Sequence, residues 1–126
     1  MILPGAGQRV ARAEVGHAVQ FETDERVRYF VEENPVLTRP DDTEIAISLP
    51  ARASGADIAA ELVGATIELS TCPADGSLVV LFDTGAVLSV PPSPDFESWN
   101  VSAPGNVLVV STPGGAIAAW NWPDRD

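Results

Sequence analysis

Apolar and polar residues alternate in short runs along most of the chain, and Gly, Pro, Asp and Asn interrupt them at close intervals. Runs at Gly7 to Glu14, His17 to Thr23 and Arg26 to Glu32 carry β-branched and aromatic residues in loose alternation, the period of a strand with one buried face. The breaks at Val15-Gly16 and Asp24-Glu25 are short, so the three runs predict a meander. The following ENPVLTRPDDTE holds two prolines and four acids and reads as a loop, leading to a short strand at Glu44 to Leu49. A helix is predicted over about Gly55 to Val63. Ser54 can cap its first turn, Asp57 completes an S-x-x-D box, Ile58 and Leu62 share one face, and Gly64 can end it.

The strand pattern then returns in GATIELS, SLVVLF and AVLSV, with CPADG and DTG as connecting turns. Laying Gly7 on Gly64 places Val10 on Ile67. With three extra residues in the first turn of the second copy, Val19 falls on Val79, Phe21 on Leu81, Val27 on Val87 and Phe30 on Val90. The chain therefore reads as one domain, 1–126, with an internal repeat at 7–32 and 64–91 and an extension at 92–126. The extension adds a proline-rich loop, a helical turn at Asp95 to Trp99, a strand at Val107 to Ser111, a PGG turn and a last strand ending at Trp120. The expected fold class is mainly β (α+β): two antiparallel β-meanders in a rolled sheet or small barrel, with one principal helix near 55–63.

Composition adds solubility and sign to this picture. With 45% hydrophobic and 20% charged residues, 126 residues suffice for one core. The longest apolar runs, LVVLF and VLVV, fall far short of the roughly 20 residues of a membrane span. The opening MILPGAGQRV lacks the basic start and apolar stretch of a signal peptide, so a cytoplasmic location is expected. Eighteen acids face seven cations, all arginine, for a net charge of −11. Such a field repels phosphate, which argues against nucleic acid and anionic membranes and favours a basic protein partner.

Candidate chemistry is sparse. Cys72 and His17 are the lone cysteine and histidine, which excludes an internal disulfide and a Cys/His zinc site within one chain. A Ser triad would have to use His17, and no G-x-S-x-G elbow exists. PGAG and PGG lack the helix that phosphate cradling requires, and the acidic pairs lack EF-hand spacing, so no cofactor or metal is expected. LFDTGA at 81–86 does resemble the catalytic loop of the pepsin and retropepsin aspartic proteases. That chemistry needs two aspartates sharing a proton, so one DTG would require a homodimer acting through Asp83. In retropepsins DTG stands near the start and a bracing apolar-apolar-Gly-Arg segment follows. Here Asp83 lies two thirds along the chain, and in the repeat TDE holds the same hairpin position. DTG thus reads as a turn, in which Asp bonds the turn backbone and Gly85 accepts positive φ.

The acids concentrate after the third strand of each copy: Glu32, Glu33, Asp41, Asp42 and Glu44 in one case, Asp95 and Glu97 beside Trp99 in the other. Carboxylates around an aromatic anchor suit recognition of a basic protein, because charge steers the encounter and the aromatic supplies desolvated area. The C-terminal third also resembles the closing block of a family of small uncharacterised bacterial proteins. The matching positions are Asp83, Gly85, Pro91, Pro92, Phe96, Glu97, Trp99, Pro113, Gly114, Gly115 and Trp120, and GQRVARAEVGHAVQF resembles that family's opening strand pair. The resemblance implies no catalytic residues. It implies an association with immunity partners of secreted bacterial toxins. The expected function is a non-enzymatic acidic binding protein, an immunity protein occluding a basic toxin domain; the alternatives are a structural or regulatory accessory domain and a dimeric aspartic hydrolase.

Overall fold

The computed structural model describes residues 1–51 and 55–123. Its strands are β1 (Val10–Val15), β2 (Val19–Thr23), β3 (Arg28–Val31), β4 (Val36–Thr38), β5 (Glu44–Ala46), β6 (Ile67–Thr71), β7 (Leu78–Phe82), β8 (Val87–Val90), β9 (Trp99–Ala103), β10 (Val107–Ser111) and β11 (Ile117–Trp120), with helix α1 (Gly55–Leu62) between β5 and β6. They form two antiparallel sheets, ordered β1-β2-β3-β9-β10-β11 and β5-β4-β8-β7-β6. The alternation in the sequence is realised directly. In β7, Leu78, Val80 and Phe82 are buried while Val79 and Leu81 are half-exposed, as a strand period of two requires.

The segments preceding β1 and β6 pair with each other and join the two sheets. Val10 N–H donates to Ala65 O and Ile67 N–H to Gln8 O, both at 2.8 Å; Gly7 N–H donates to Ile67 O and Gly64 N–H to Val10 O. These bonds are reciprocal about the antiparallel pair Arg9 and Thr66. Each outward edge is closed in the same way by an aspartate turn. Asp24 N–H donates to Arg9 O and Asp83 N–H to Thr66 O, while Arg9 N–H and Thr66 N–H donate back to the Asp24 and Asp83 carboxylates. The result is a rolled sheet without barrel closure.

Both halves share one plan. β1 and β6 carry a bulge at the same place, Val10/Arg12 and Ile67/Leu69. The β4–β5 hairpin then leaves the first meander and joins β8 through β4, and the β9–β10 hairpin leaves the second and joins β3 through β9. Each sheet thus combines the meander of one half with the hairpin of the other. Thr38 pairs with Val87 as Ser102 pairs with Arg28, and the hairpin turns match at Asp42 and Asn106, whose φ angles are 69° and 60°. The repeated unit therefore runs through β5 and β10, and much of the expected extension belongs to it. The register also differs from the sequence alignment by one residue over β2 and β3. Thr23 pairs with Val10 and Phe82 with Ile67, so the buried Val19, Phe21, Val27 and Tyr29 correspond to the buried Leu78, Val80, Ala86 and Leu88. A one-residue slip would turn these side chains to solvent.

Three further elements depart from expectation. Val36–Thr38, read as loop, is a strand, and Trp99 begins β9 rather than closing a helical turn at Asp95 to Trp99. β5 ends at Ala46, short of the expected Leu49. The expected cap at Ser54 lies outside the described residues. Helix α1 buries Gly55, Ile58 and Leu62 and packs on β1. A Cβ at Gly55 would stand 2.3 Å from Val15 O, so the first turn sits directly on the β1 backbone.

Between the sheets, Phe21 stacks on Tyr29 at 4.4 Å and meets Phe82 at 6.2 Å. The buried Tyr29 hydroxyl donates to Pro4 O and accepts from Ser70 Oγ, each at 2.8 Å, which satisfies a group that burial would otherwise penalise. Trp99 Nε1 and Ser111 Oγ both donate to Gly76 O, tying the β6–β7 turn to the second hairpin. Gly76 has φ +88°, and a Cβ there would fall 2.2 Å from Gly115 O. Gly105 has the same φ, with nothing within 4 Å of the equivalent Cβ. Gly76→Ala is expected to cost at least about 3 kcal/mol, from left-handed strain plus the clash, and Gly105→Ala about 1–2 kcal/mol from strain alone. Urea denaturation of the two variants measures the difference.

Candidate binding surface

The expected site residues divide into two groups. Pairing of Val31 with Trp99 aligns the exit of β3 with the entry of β9, and Glu32 N–H and Glu33 N–H both donate to Ser98 O, at 2.8 and 3.2 Å. Glu32 and Glu33 therefore adjoin Glu97, with Asp95 two residues further along the loop, where its N–H donates to Ser93 Oγ. Asp41, Asp42 and Glu44 lie elsewhere, in the β4–β5 hairpin of the other sheet. Glu33 precedes β4 and Asp41 follows it, so the groups lie beyond opposite ends of that strand. The Asp41 carboxylate accepts from Thr43 Oγ1 and Thr43 N–H, at 2.6 and 3.0 Å. These bonds, the hydroxyl first, hold its pKa below the ordinary value.

Trp99 does not serve as a surface anchor. It is 1% exposed, and its ring lies in the core with its one donor engaged by Gly76 O. The exposed aromatic of this loop is Phe96, at 42%, directly between Asp95 and Glu97. Phe96 was visible in the sequence as the middle of an acid-aromatic-acid triplet, but the larger Trp99 drew the assignment.

The Asp83 carboxylate accepts the Thr66 amide at 2.9 Å in an exposed turn. Asp24 occupies the matching turn, with Arg26 at φ 69° where the DTG turn has Gly85 at φ 92°. Two strands, the β1 and β6 leads, run between these aspartates. At about 4.8 Å per strand they lie roughly 14 Å apart along the sheet, too far to share one proton within a chain.

Other titratable groups are scattered. His17 is exposed in the β1–β2 turn, beside a 250 Å³ cleft lined also by Gly16, Pro50 and Ala51. Cys72 is buried. Among the described residues no group of three or more His, Cys, Asp or Glu is placed to hold a metal ion. No helix among them is long and apolar enough to cross a membrane. On the outer face of the six-stranded sheet, Arg12 and Arg28 converge on Glu22. Arg28 donates to Glu22 Oε1 from Nε at 3.0 Å and Nη2 at 2.9 Å, and shallow clefts of about 510 and 530 Å³ flank this trio. Sequence reading overlooked the cluster, because its three members come from three strands.

Fold and surface together define a small rolled-sheet protein built from two like units, with exposed carboxylates on its loops and turns. Residues 1–121 match a family of unknown function, DUF6188, and the chain belongs to it. Nothing among curated proteins or solved structures matches it.

The Arg28 hydrogen bonds, followed by the charge and hydrogen bond of Arg12, hold the Glu22 carboxyl below its ordinary 4.5. A depressed carboxylate stabilises the fold above its unfolded pKa, and that contribution disappears as pH falls through the folded value. Glu22→Gln is therefore expected to lose up to about 1 kcal/mol at neutral pH. The deficit should shrink toward zero below pH 4.5 in urea titrations across the pH range; a pH-independent deficit would remove the ionic origin.

Proposed function

We propose that this chain is a non-enzymatic binding protein for a basic protein partner, acting as an immunity protein that neutralises a bacterial toxin domain by occlusion. The observation that carries the reading is Phe96, an exposed ring flanked by Asp95 and Glu97 and adjoined by Glu32 and Glu33. A ring of this kind supplies apolar area that only a partner can desolvate, and surrounding carboxylates accelerate encounter with a cationic surface. The net charge of −11 gives the long-range field the same sign. The toxin association comes from the resemblance of the C-terminal block to a family of small uncharacterised bacterial proteins, which implies an immunity role. Engagement of Asp83 with the Thr66 amide, mirrored by Asp24 and Arg9, supports a turn role for the DTG motif over proton transfer.

The test is coexpression with the neighbouring gene's product and measurement of association across a salt series. A stoichiometric complex that weakens as salt rises is expected. Asp95→Lys with Glu97→Lys should slow association at low salt and flatten the salt dependence; kinetics indistinguishable from wild type would remove this loop from the interface.

A further inference from the structure

The two like units provide an internal comparison of their outer faces. On the six-stranded sheet, cross-strand pairing lines up Arg12, Glu22, Arg28 and Ser102 in one row and Glu14, Gln20, Phe30 and Asn100 in the next. The corresponding rows of the five-stranded sheet are Leu69, Leu81, Val87 and Thr38, then Thr71, Val79, Ser89 and Val36. Leu78, Val80, Phe82, Leu88, Val90 and Leu37 point into the core, so these alternate residues point out. A position that folds with arginine or glutamate in one unit carries leucine or valine in the other. The fold therefore does not demand an apolar outer face, and the half-exposed aliphatic residues there are free to serve an interaction.

The surroundings specify the sign of what covers it. The strands and turns of the five-stranded sheet carry Asp41, Asp42, Glu44, Glu68, Asp75 and Asp83. Their one cation, Arg39, is bound to Glu61 of α1 through Nε at 2.8 Å and Nη2 at 3.0 Å. Gly85 of the DTG turn lies against Pro40, which brings the Asp83 turn beside the Asp41–Asp42 turn at one end of the face. At the other end, β4 is entered from Glu33 and β8 runs out toward Asp95, Phe96 and Glu97. Both acidic groups of the candidate site thus bracket one aliphatic surface.

A second copy of the chain is a poor occupant. The two rows cross four strands about 4.8 Å apart and give a patch of roughly 250–300 Å², so two such faces bury well under the roughly 1,200 Å² of a specific interface. Two rims of the same charge would also meet. A cationic partner gains the rim as well as the centre. We infer that the outer face of the five-stranded sheet, centred on Leu69, Val79, Leu81 and Val87, is the docking surface for a basic protein that presents an apolar centre within a cationic margin. The inference rests on the binding reading above and moves its centre from the Phe96 loop to the sheet.

The test uses four immobilised baits of the whole chain: wild type, Leu81→Gln/Val87→Gln, the counterpart pair Glu22→Gln/Arg28→Gln, and Asp95→Lys/Glu97→Lys. Each is checked for cooperative unfolding, and partners captured from the cells that make the protein are identified, purified and remixed. The expected result is a 1:1 complex with a protein of basic isoelectric point, weakened about 30-fold or more by Leu81→Gln/Val87→Gln and less than about 3-fold by the counterpart pair. A complex that survives the face pair but not Asp95→Lys/Glu97→Lys overturns the sheet face and leaves the binding reading standing. Absence of any complex that reforms from purified components overturns both. Light scattering that shows a wild-type dimer dissolved by Leu81→Gln/Val87→Gln also overturns the proposal, by giving the face to a second copy.

Discussion

The antiparallel contact between Arg9 and Thr66 joins the lead segments of β1 and β6, and the arrangement of both sheets follows from it. Four backbone hydrogen bonds, reciprocal in pairs, fix the relation between the two units. The Asp24 and Asp83 turns close the outer edges of the same seam. With the leads held together, each meander turns away from the seam, and each following hairpin crosses to complete the opposite sheet. Exchange of hairpins gives each sheet strands from both units, and the core lies between the two sheets. The remaining edges, β5 and β11, are only three and four residues long, which limits unwanted strand pairing.

Within that frame, burial and polarity decide the role of each conspicuous residue. Trp99 is held inside by Gly76, and Gly76 in turn stands against Gly115, so two turns are fastened beside one indole. Tyr29 joins the N-terminal segment to β6 through Pro4 and Ser70, and burial raises its pKa above the ordinary 10.0. The carboxylates remain outside, where charge acts at a distance. The sequence motif that most suggested chemistry, DTG, belongs to the seam.

Much of the strand plan was legible because alternation survives in short runs such as LVVLF, where every second residue is buried. The helix was legible from Ile58 and Leu62. β4 was hidden because a three-residue strand in the short segment between Pro35 and Pro40 cannot show a period, and β9 because the acids and serine before Trp99 imitate a helix start. The one-residue slip arose from aligning valines by identity; only the pairings of Thr23 with Val10 and Phe82 with Ile67 fix which valine faces inward. The grouping of Glu32 and Glu33 with Glu97 was partly legible, since both follow third strands. Their separation from Asp41, Asp42 and Glu44 depends on hairpin exchange, a long-range feature without a local signal.

If the aliphatic outer face of the five-stranded sheet serves recognition, as proposed, it is dispensable for folding. The most direct test transfers the charged row of one unit onto the other, as Leu69→Arg/Leu81→Glu/Val87→Arg, and measures the unfolding free energy by urea titration. Those residues would reproduce the Arg12, Glu22 and Arg28 arrangement, so the expected result is a cooperative fold that loses no more than about 2 kcal/mol. Loss of cooperative unfolding, or a loss comparable to a core substitution of about 4 kcal/mol or more, would show that the face is needed for folding and contradict the account.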